Sequence, residues 1–502
     1  MQHILLIGAG KSATVLISYL KNLVQEKNWQ LTVADNSLEL AEKKIGNHTY
    51  SKAIQLNITN ATERKNLIQQ ATLVISMLPA NLHYLVAVDC VALNKNLLTA
   101  SYVSDEIKNL EQEIKNKGLL FLCEMGLDPG IDHMSAMQMI DAIKTKGGII
   151  TSFKSHCGGL VAPESDDNPW HYKISWNARN VVLAGKAGAL YKTNNKVEEI
   201  KYTNLFNANN IIAINPNEVY AYYANRNSLN YISLYGLETC NNFIRTTLRH
   251  PDFCLGWKNI IDLKLTEEEK IYETNGMSIK QFFLHHFEKH GFNDWLNKML
   301  SQKLNAAKEM MEKLMQLMEA EEEAQEQGEV TEEEIMMINE KGELNTIEVE
   351  DIKTQAAETI AVQMHDANLS MKQLFFLGMD DDETLINKGL CSAADVLQFI
   401  METKLVLADD DKDMIIMLHE IEYTLNNQTH TQRSLLKVIG ENAAYTAMAK
   451  TVGLPLGIAA KLILEGKITD TGLQIPTTAN IYEPILQELA QHGIVFKELK
   501  FD

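Results

Sequence analysis

A glycine-rich turn near the N-terminus constrains the fold more than any other feature of this sequence. The apolar run His3–Ile7 is followed by Gly8, Ala9, Gly10, Lys11, Ser12 and Ala13, and then by a helical pattern over residues 13–23. In such a GxGxxA turn the first glycine permits the tight bend, and the second lets the backbone approach a pyrophosphate. The turn therefore predicts a dinucleotide site at residues 8–12, with a glycine turn that holds no ligand as the alternative.

Further apolar runs follow, and each is continuously apolar rather than alternating. They cover residues 31–34, 73–78, 97–100 and 119–123. Runs of this kind are typical of parallel strands that are buried on both faces. The sequence therefore predicts an α/β fold whose N-terminal domain, residues 1–128, is a Rossmann-type parallel sheet.

The pattern changes after residue 129. Short strand-like runs lie among loops rich in Gly, Asn and Pro, at residues 149–152, 181–184, 211–214, 414–420 and 434–439. We expect these runs to form the mixed sheet of an α+β substrate domain built from residues 129–277 and 408–502. A long amphipathic helix at 443–464 is a candidate to pack on the Rossmann domain.

Residues 278–407 have the pattern of a helical, Met-rich domain. Within it, residues 319–334 hold nine Glu among sixteen residues and no Lys or Arg. Like charges this dense repel one another, which predicts a solvated helix or a disordered linker. The alternative is that this acidic stretch is a tail that binds a metal or a basic partner. The stretch near 312–351 is interpreted as an insertion.

The charge balance argues against several classes of partner. Lys and Arg number 46 against 66 Asp and Glu, which gives a formal net charge of −20. Nucleic acids and anionic membranes both require a basic surface. We see no apolar run near the ~20 residues of a membrane span and no signal peptide. The six cysteines are scattered without a CxxC pair, which indicates free thiols in a reducing cytoplasm and no metal site.

The second predicted strand ends at Asp35, 25 positions after Gly10. A carboxylate at this place can accept hydrogen bonds from the adenosine ribose diol, and it would repel a 2′-phosphate. The neighbouring Asn36 and Ser37 supply no cation. We therefore expect NAD as the cofactor rather than NADP, with a plain turn aspartate as the alternative.

Polar side chains follow three of the predicted strands and are candidates for chemistry. Tyr102, after the apolar run at residues 97–100, is either a proton donor or a packed aromatic. The segment from residue 124 to 133 carries three acids, a histidine and a Pro-Gly turn. We favour function for Asp128 and helix capping for Asp132. Cys157 has no flanking cation, so nucleophilic catalysis has no local support.

Two arginine-containing segments would suit carboxylate binding in so acidic a protein. They are Arg226 and the run from Arg245 to Arg249. Arginine can grip a carboxylate through two parallel hydrogen bonds. Surface arginine is the alternative.

Taken together, these motifs resemble the glutamate-forming saccharopine dehydrogenases, also called saccharopine reductases. The stretches that carry the resemblance are GAGKSA, GLDPGIDH, HCGGLVAPE, NPWHYKISWNAR, IRTTLRHPDF and YTAMAKTVGLPLGIAAKLILEGKI. It implies a Rossmann domain, a mixed-sheet substrate and dimerisation domain, a helical domain and a homodimer. It also implies reversible NAD-dependent oxidation of saccharopine to glutamate and 2-aminoadipate 6-semialdehyde, in lysine metabolism.

The resemblance also implies site residues. Those for the nucleotide are Ala9, Gly10, Lys11, Ser12, Asp35, Asn57, Ile58, Leu78, Ala100, Ser101, Leu127, Asp128, Pro129 and Asn177. Those for saccharopine are Ser101, Tyr102, Asp128, Arg226, Thr247, Leu248 and Arg249. Asp128 is our first candidate for acid–base catalysis, with Tyr102 and Cys157 second. Arg226 and Arg249 are our candidates to bind the substrate carboxylates.

One position departs from part of the family. Fungal members that use NADP carry an arginine just after the second strand, where this chain has Asn36, and this difference also favours NAD. The physiological direction stays open. Alternatives are an NAD-dependent dehydrogenase that acts on lysine or a carboxylated polyamine, and a sensor that binds NAD without turnover.

Overall fold

A computed structural model describes residues 1–326, 334–338 and 344–499 of the chain. Its strands, numbered β1 to β20 in chain order, are His3–Ile7, Gln30–Asp35, Ser51–Gln55, Leu73–Ser76, Asn96–Thr99, Leu120–Leu122, Ile149–Val161, Ala189–Thr193, Lys196–Ile200, Ile211–Asn215, Glu218–Ala224, Asn242–Arg249, Tyr272–Glu273, Glu334–Ile338, Leu344–Glu348, Leu390–Cys391, Asp413–Leu425, Gln428–Ile439, Gly472–Gln474 and Lys497–Leu499. Its helices, α1 to α15, are Thr14–Lys27, Leu38–Ile45, Ala61–Gln70, His83–Ala92, Asp105–Lys108, Glu111–Asn116, Ile131–Thr145, Ala178–Val182, Pro251–Asp262, Ile279–His290, Trp295–Glu326, Val349–Phe376, Ala393–Lys404, Ala447–Leu464 and Ala479–Gln491.

The described chain divides into two compact units. One comprises residues 1–167, 171–251 and 405–502, and the other comprises residues 168–170 and 252–404. The first unit contains a parallel sheet and a mixed sheet, and the second is mainly helical. The predicted α/β fold class is therefore confirmed, whereas the three predicted domain boundaries stay a prediction.

The N-terminal sheet is parallel throughout, with the strand order β19-β6-β5-β4-β1-β2-β3. The inner strands are buried along nearly their whole length, as the continuous apolar runs predict. Two strands had not been predicted. β3 is half-buried and only partly apolar. β19, Gly472–Gln474, lies near the other end of the chain. Because the strands are parallel, the segments that follow β1, β2, β4, β5 and β6 all meet at one edge of the sheet.

The mixed sheet of the first unit is centred on β7. Its path runs β10-β11-β12-β7-β17-β18-β20, with β8 and β9 attached beside β12. β7 pairs in parallel with β12 and antiparallel with β17, so that Cys157 lies between Thr247 and Met417. The pairing brings chain segments that are far apart in sequence side by side.

The strand predicted at residues 181–184 is wrong, because the segment Ala178–Val182 is the helix α8. The side chain of Asn177 accepts the backbone N–H groups of Arg179 and Asn180 at 2.9 and 3.4 Å. This N-cap stabilises a helical turn and outweighs the β-propensity of two adjacent valines. Of the predicted acidic stretch, residues 327–333 lie outside the described residues.

Helix α14 packs closely on α1 inside the first unit. A Cβ at Gly453 would lie 2.9 Å from the backbone nitrogen of Leu16, and one at Gly457 would lie 2.5 Å from Tyr19 Cδ1. By length and mean hydropathy alone, 1.5, α14 would be long and apolar enough to cross a membrane. Yet 72% of the helix is buried inside the protein, which is the packing expected of a core helix.

The second unit has its own aromatic core. Trp170 packs edge-on against Phe253 and Trp257, whose rings stack on each other at 5.1 Å. Helix α10 begins at a capping box, in which Ser278 and Gln281 each accept the other's backbone N–H. Helices α11 and α12 pack along each other.

Candidate active site

The glycine turn after β1 has the shape that a dinucleotide requires. Gly8 has φ +106°, and a Cβ there would lie 2.7 Å from the carbonyl oxygen of Met77, so this position needs glycine. A Cβ at Gly10 would meet nothing within 4 Å, so open space lies in front of it. The 3-10 turn Lys11–Ala13 that follows has no side-chain cap. A glycine turn with open space at its second glycine fits the approach of a pyrophosphate.

Asp35 lies beside this turn, but its carboxylate already has partners. One oxygen accepts the N–H of Ala9 at 2.7 Å, and the other accepts the N–H of Ser37 at 2.9 Å. Lys44 Nζ donates to Gly10 O at 2.5 Å and to Thr14 Oγ1 at 2.9 Å. Burial lowers the pKa of Lys44 to about 8, against the opposing attraction of Asp35. The negative charge of Asp35 is therefore offset by two N–H groups and a nearby ammonium.

A buried cluster of charges follows β6 on the same edge of the parallel sheet. Arg245 Nη2 lies 2.6 Å from Asp128 Oδ1 and also 2.6 Å from Asp132 Oδ2. Tyr102 Oη donates to Asp128 Oδ1 at 3.2 Å. The side chains of Arg245 and Asp132 are 3% and 2% exposed, whereas Asp128 is 13% exposed. Asp128 is therefore the carboxylate of the pair that a bound molecule can reach more easily.

Asp132 and Arg245 are fixed by further contacts. Asp132 Oδ1 accepts the N–H of Gly130 at 2.6 Å, in the first turn of α7. The guanidinium of Arg245 lies 4.4 Å from the ring centroid of Tyr231. The predicted capping role is wrong, because α7 begins at Ile131 with Gly130 as an N-cap that has no side-chain cap, and Asp132 lies inside the first turn. Its carboxylate instead shares with Asp128 the charge that balances Arg245.

A second buried network supports the loop that carries Asp128. His133 Nε2 lies 2.8 Å from Glu124 Oε2, and His133 Nδ1 lies 2.5 Å from Tyr235 Oη. Tyr231 Oη donates to Glu124 Oε2 at 3.1 Å, and Glu124 Oε1 accepts the N–H of Val103 at 3.2 Å. These bonds join both ends of the segment from residue 124 to 133, so its turn is held rigidly over the sheet edge.

Burial and charge separate the protonation behaviour of the candidate acid–base groups. Burial, with the charge of Asp132 added, raises the pKa of Asp128 to about 6, although Arg245 opposes the shift. Burial acts on Asp132 as well, but His133 and Arg245 hold its pKa below the usual value. Burial raises the pKa of Tyr102 and of Cys157 well above their ordinary ranges. Asp128 is therefore the member of this cluster suited to exchange protons near neutral pH.

The two predicted carboxylate-binding arginines are placed differently. Arg226 is exposed, has φ +52° and lies with its guanidinium 5.0 Å from the ring centroid of Tyr102. In the described part of the chain it has no ion-pair partner. Arg249 is buried, and its Nη1 donates to the carbonyls of Gly159 and Leu248 at 3.3 and 3.0 Å. Arg226 is the more accessible of the two cations.

Other predicted site residues lie at the sheet edge or on β12. Ser101 Oγ lies 2.7 Å from His83 Nε2, and His83 Nδ1 lies 2.8 Å from Ser76 Oγ. Burial lowers the pKa of His83 to about 4, so its ring is neutral. Leu248 is fully buried in an apolar cluster on the opposite face of β12 from Thr247. Alternation along a strand explains this difference.

Not every predicted residue joins the charge cluster. Asn177 caps α8, and Asn57 Oδ1 accepts the N–H and hydroxyl of Thr59 at 3.1 and 2.8 Å. Within the described part of the chain, neither side chain is hydrogen-bonded to the charge cluster.

The resemblance did not place Arg245, Glu124, His133, Tyr231 and Tyr235 among the site residues, although Arg245 had been named with Arg249 as a candidate for carboxylate binding. A further signal for Arg245 lies in its spacing along β12. Residues 245, 247 and 249 alternate along one strand, so they share a face, and the outer two are both arginine. The tyrosines carry no such signal, because their positions depend on how β12 and the segment before it fold back on α7.

A Rossmann-type sheet with a glycine turn and a buried carboxylate of raised pKa at the same edge is the arrangement of a nucleotide-dependent oxidoreductase. Residues 4–122 match the family model of the saccharopine dehydrogenase NADP binding domain, and residues 126–363 and 337–494 match that of the saccharopine dehydrogenase C-terminal domain. The chain belongs to the saccharopine dehydrogenase family, which confirms the resemblance seen in its motifs.

Several relatives share nearly the whole length of the chain. It is 30% identical over 500 residues to the NADP(+), L-glutamate-forming saccharopine dehydrogenase of Saccharomyces cerevisiae, and the match covers 99% of both chains. The enzyme of that name from Schizosaccharomyces pombe is 29% identical, again over 99% of both. The α-aminoadipic semialdehyde synthase of Arabidopsis thaliana is 29% identical over 99% of this chain, which spans 44% of that protein. The apo L-Glu-forming saccharopine dehydrogenase of S. cerevisiae has a TM-score of 0.75 at 26% identity, over 100% of both chains.

The expectation of NAD as the cofactor is wrong. The matching N-terminal model is an NADP binding domain, and both fungal relatives are NADP(+) enzymes, which points to NADP. The preference for NAD assumed that Asp35 is a bare negative charge with no cation nearby. In the structure its oxygens are occupied by Ala9 and Ser37, and Lys44 adds a positive charge next to the turn.

Proposed function

We propose that this chain is a saccharopine dehydrogenase of the L-glutamate-forming type that uses NADP. The observation that carries the proposal is Asp128, which lies between Tyr102 and Arg245 at the sheet edge that also holds the glycine turn. The two fungal relatives that match this chain over 99% of both lengths are named NADP(+), L-glutamate-forming saccharopine dehydrogenases. The reaction interconverts saccharopine, NADP+ and water with glutamate, 2-aminoadipate 6-semialdehyde, NADPH and a proton.

The nicotinamide, when bound, would take a hydride from the lysine ε-carbon of saccharopine, which is one of the two carbons attached to the secondary amine. The protein has to move protons around that step. Asp128, with a pKa raised to about 6, accepts a proton from the secondary amine and later from the water that adds to the carbon–nitrogen double bond. Acid–base help of this kind contributes on the order of 10² to 10⁴ in rate. Tyr102 donates a hydrogen bond to Asp128 and orients it.

Saccharopine carries three carboxylates, so its site needs cations that are not already neutralised. Arg226 meets this requirement, because it is exposed and stacks near Tyr102 without an ion-pair partner in the described residues. Arg249 and Thr247 lie on β12 next to Cys157 of β7 and would form the inner wall of the site. We assign Cys157 to this wall, with a protonated thiol because burial raises its pKa.

For the nucleotide, we propose that Gly8, Ala9, Gly10, Lys11 and Ser12 hold the pyrophosphate. Lys44 then provides positive charge on the adenosine side of the turn, since its ammonium is bonded to Gly10 O and Thr14 Oγ1. This charge would favour the additional phosphate of NADP over the bare ribose of NAD.

The experiment that tests the proposal is the formation of NADPH from saccharopine, followed by absorbance, with lysine and a carboxylated polyamine as parallel substrates. We expect turnover with saccharopine and NADP+, and little with the smaller amines, which carry fewer carboxylates for the cations of the site. Turnover with a smaller amine alone would replace the proposed substrate. Binding of NADPH without turnover of any of them would favour a sensor. A homodimer and a cytoplasmic location stay predictions, which light scattering and cell fractionation would check.

A further inference from the structure

We propose that Asp132 and Arg245 form a positioning pair that holds the carboxylate of Asp128 in place and sets the pH range in which Asp128 accepts a proton. The inference rests on the proposed function in one respect only, namely that Asp128 is the acid–base group. Neither Asp132 nor Arg245 was among the residues that the resemblance assigns to substrate or cofactor.

The contacts among the three side chains support this pair. A single nitrogen, Arg245 Nη2, contacts both Asp128 Oδ1 and Asp132 Oδ2 at 2.6 Å. Asp132 is fixed from its other side by the N–H of Gly130 at 2.6 Å, and Arg245 is fixed by the ring of Tyr231 at 4.4 Å. Among the described residues, the carboxylate of Asp128 is bonded to the side chains of Tyr102 and Arg245 and to no backbone N–H group. The rigid pair therefore positions the less restrained carboxylate.

The charge balance supports this pair as well. Two carboxylates share one guanidinium, so the trio carries one net negative charge when both acids are ionised. An adjacent cation favours the ionised form of a carboxylate, and an adjacent carboxylate disfavours it. Arg245 and Asp132 therefore act on Asp128 in opposite directions, and removing one or the other must shift its titration in opposite directions.

Burial and other neighbouring groups act on Asp128 as well, and His133 adds to Arg245 in lowering its pKa. Burial keeps Tyr102 and Cys157 protonated, and it lowers the pKa of His419, on β17, to about 4. His133 is bonded to Glu124 and Tyr235, and its Nδ1 lies 3.6 Å from Asp132 Oδ2. The titratable and charged groups that face the trio from the surrounding elements are Tyr102, Glu124, His133, Cys157, Arg226, Tyr231, Tyr235, Arg249 and His419.

The test compares pH profiles of kcat/KM for saccharopine oxidation. Arg245→Gln should move the acidic limb upward by about 1 to 3 pH units, because two carboxylates are left side by side. Asp132→Asn should move it downward by about one unit, because Arg245 then serves Asp128 alone. Arg245→Lys keeps the charge and should restore most of the wild-type position of the limb. A residue that only holds the fold would lower the rate at every pH without moving the limb.

A second measurement does not depend on turnover. The carboxyl infrared band of Asp128, obtained as the difference between each protein and its Asp128→Asn counterpart, reports the same titration in the free enzyme. NADPH binding by fluorescence shows that each variant is folded. If Arg245→Gln is unfolded, the other two variants still test the proposal. Asp132→Asn should lower the pKa of Asp128, and Arg245→Lys should leave that pKa near its wild-type value.

The outcomes separate the two proposals. Opposite shifts in the infrared titration would support the positioning pair even if the wild type does not oxidise saccharopine, in which case only the proposed function fails. Coincident titrations in Asp132→Asn, Arg245→Gln and the wild type would overturn the positioning pair, although saccharopine turnover would still support the proposed function. Shifts in the same direction for both variants would also overturn it.

Discussion

Arg245 and Asp128 meet at 2.6 Å although they are 117 positions apart in the chain. Arg245 lies near the middle of β12 in the mixed sheet, and Asp128 lies in the turn between β6 of the parallel sheet and α7. The contact therefore joins the edge at which a nucleotide fits to the sheet that would carry the substrate groups. A buried arginine between two aspartates also explains why acids can lie so close together away from water.

Replacement of Asp128 by Asn should lower kcat for saccharopine oxidation by about 10² to 10⁴, because the proton acceptor is lost while the side chain keeps its shape. NADPH binding measured by fluorescence should change little. Asp294→Asn is the matched control, since Asp294 is an exposed acid in the other unit. A wild-type rate in Asp128→Asn would exclude Asp128 as the acid–base group.

The pH dependence of the wild type should show one acidic limb from Asp128. Its pKa is raised to about 6, so the carboxylate is protonated and inactive as a base below that pH. In the oxidative direction kcat/KM should rise about tenfold per pH unit up to about pH 6 and then level off. The measurement is a series of initial rates across pH in buffers of constant ionic strength. If the residual activity of Asp128→Asn still shows this acidic limb, the limb belongs to another titrating group.

The two glycines of the nucleotide turn should respond differently to alanine. Gly8→Ala introduces a Cβ 2.7 Å from Met77 O at a positive φ, and it should lower the free energy of unfolding by roughly 1–3 kcal/mol. Gly10→Ala meets no neighbour within 4 Å, so its unfolding transition should match the wild type. Its NADPH affinity should nevertheless fall, because the methyl group occupies the space for the pyrophosphate. Thermal unfolding and fluorescence titration separate the two effects, and an unchanged affinity in Gly10→Ala would contradict this placement of the nucleotide.

Lys44→Gln should weaken NADPH binding more than NADH binding. A lost charge-assisted hydrogen bond corresponds to about 1.5–3 kcal/mol, or roughly a tenfold or greater loss in affinity. Because burial lowers the pKa of Lys44 to about 8, the wild-type preference for NADPH should decline as the pH rises above that value. Lys43→Gln, one residue away and exposed, is the control. Equal losses for both nucleotides in Lys44→Gln would show that Lys44 supports the turn without selecting the phosphate.

Arg226→Ala should raise the KM for saccharopine by roughly tenfold or more, because one carboxylate of the substrate loses a charged donor. The effect on kcat and on NADPH binding should be small. Arg226→Lys should lie between Ala and the wild type, since lysine keeps the charge but not the paired donors. Lys201→Ala, at an exposed position, controls for the loss of a surface charge. If the KM of Arg226→Ala is unchanged, the carboxylates bind elsewhere.

The parts of the structure that could be predicted from sequence are those with a local physical cause. Continuous apolar runs predicted the inner strands of the parallel sheet, and the glycine spacing predicted the turn after β1. The strand predicted at residues 181–184 failed because β-propensity was weighed without the cap at Asn177. The NAD prediction failed because Asp35 was considered without the N–H groups and the lysine that offset its charge.

The sequence by itself determined the parallel Rossmann-type sheet, the mixed sheet, the nucleotide turn and the choice of Asp128 as a candidate acid–base group. Each of these depends on residues that are neighbours along the chain. Only the tertiary structure decided that Asp132 and Arg245 accompany Asp128, and that Cys157 lies beside Thr247. These relations depend on the parallel pairing of β7 with β12 and on the burial that follows from it. Burial removes water from the charges and so sets their proton affinities, and no pattern of neighbouring residues encodes that environment.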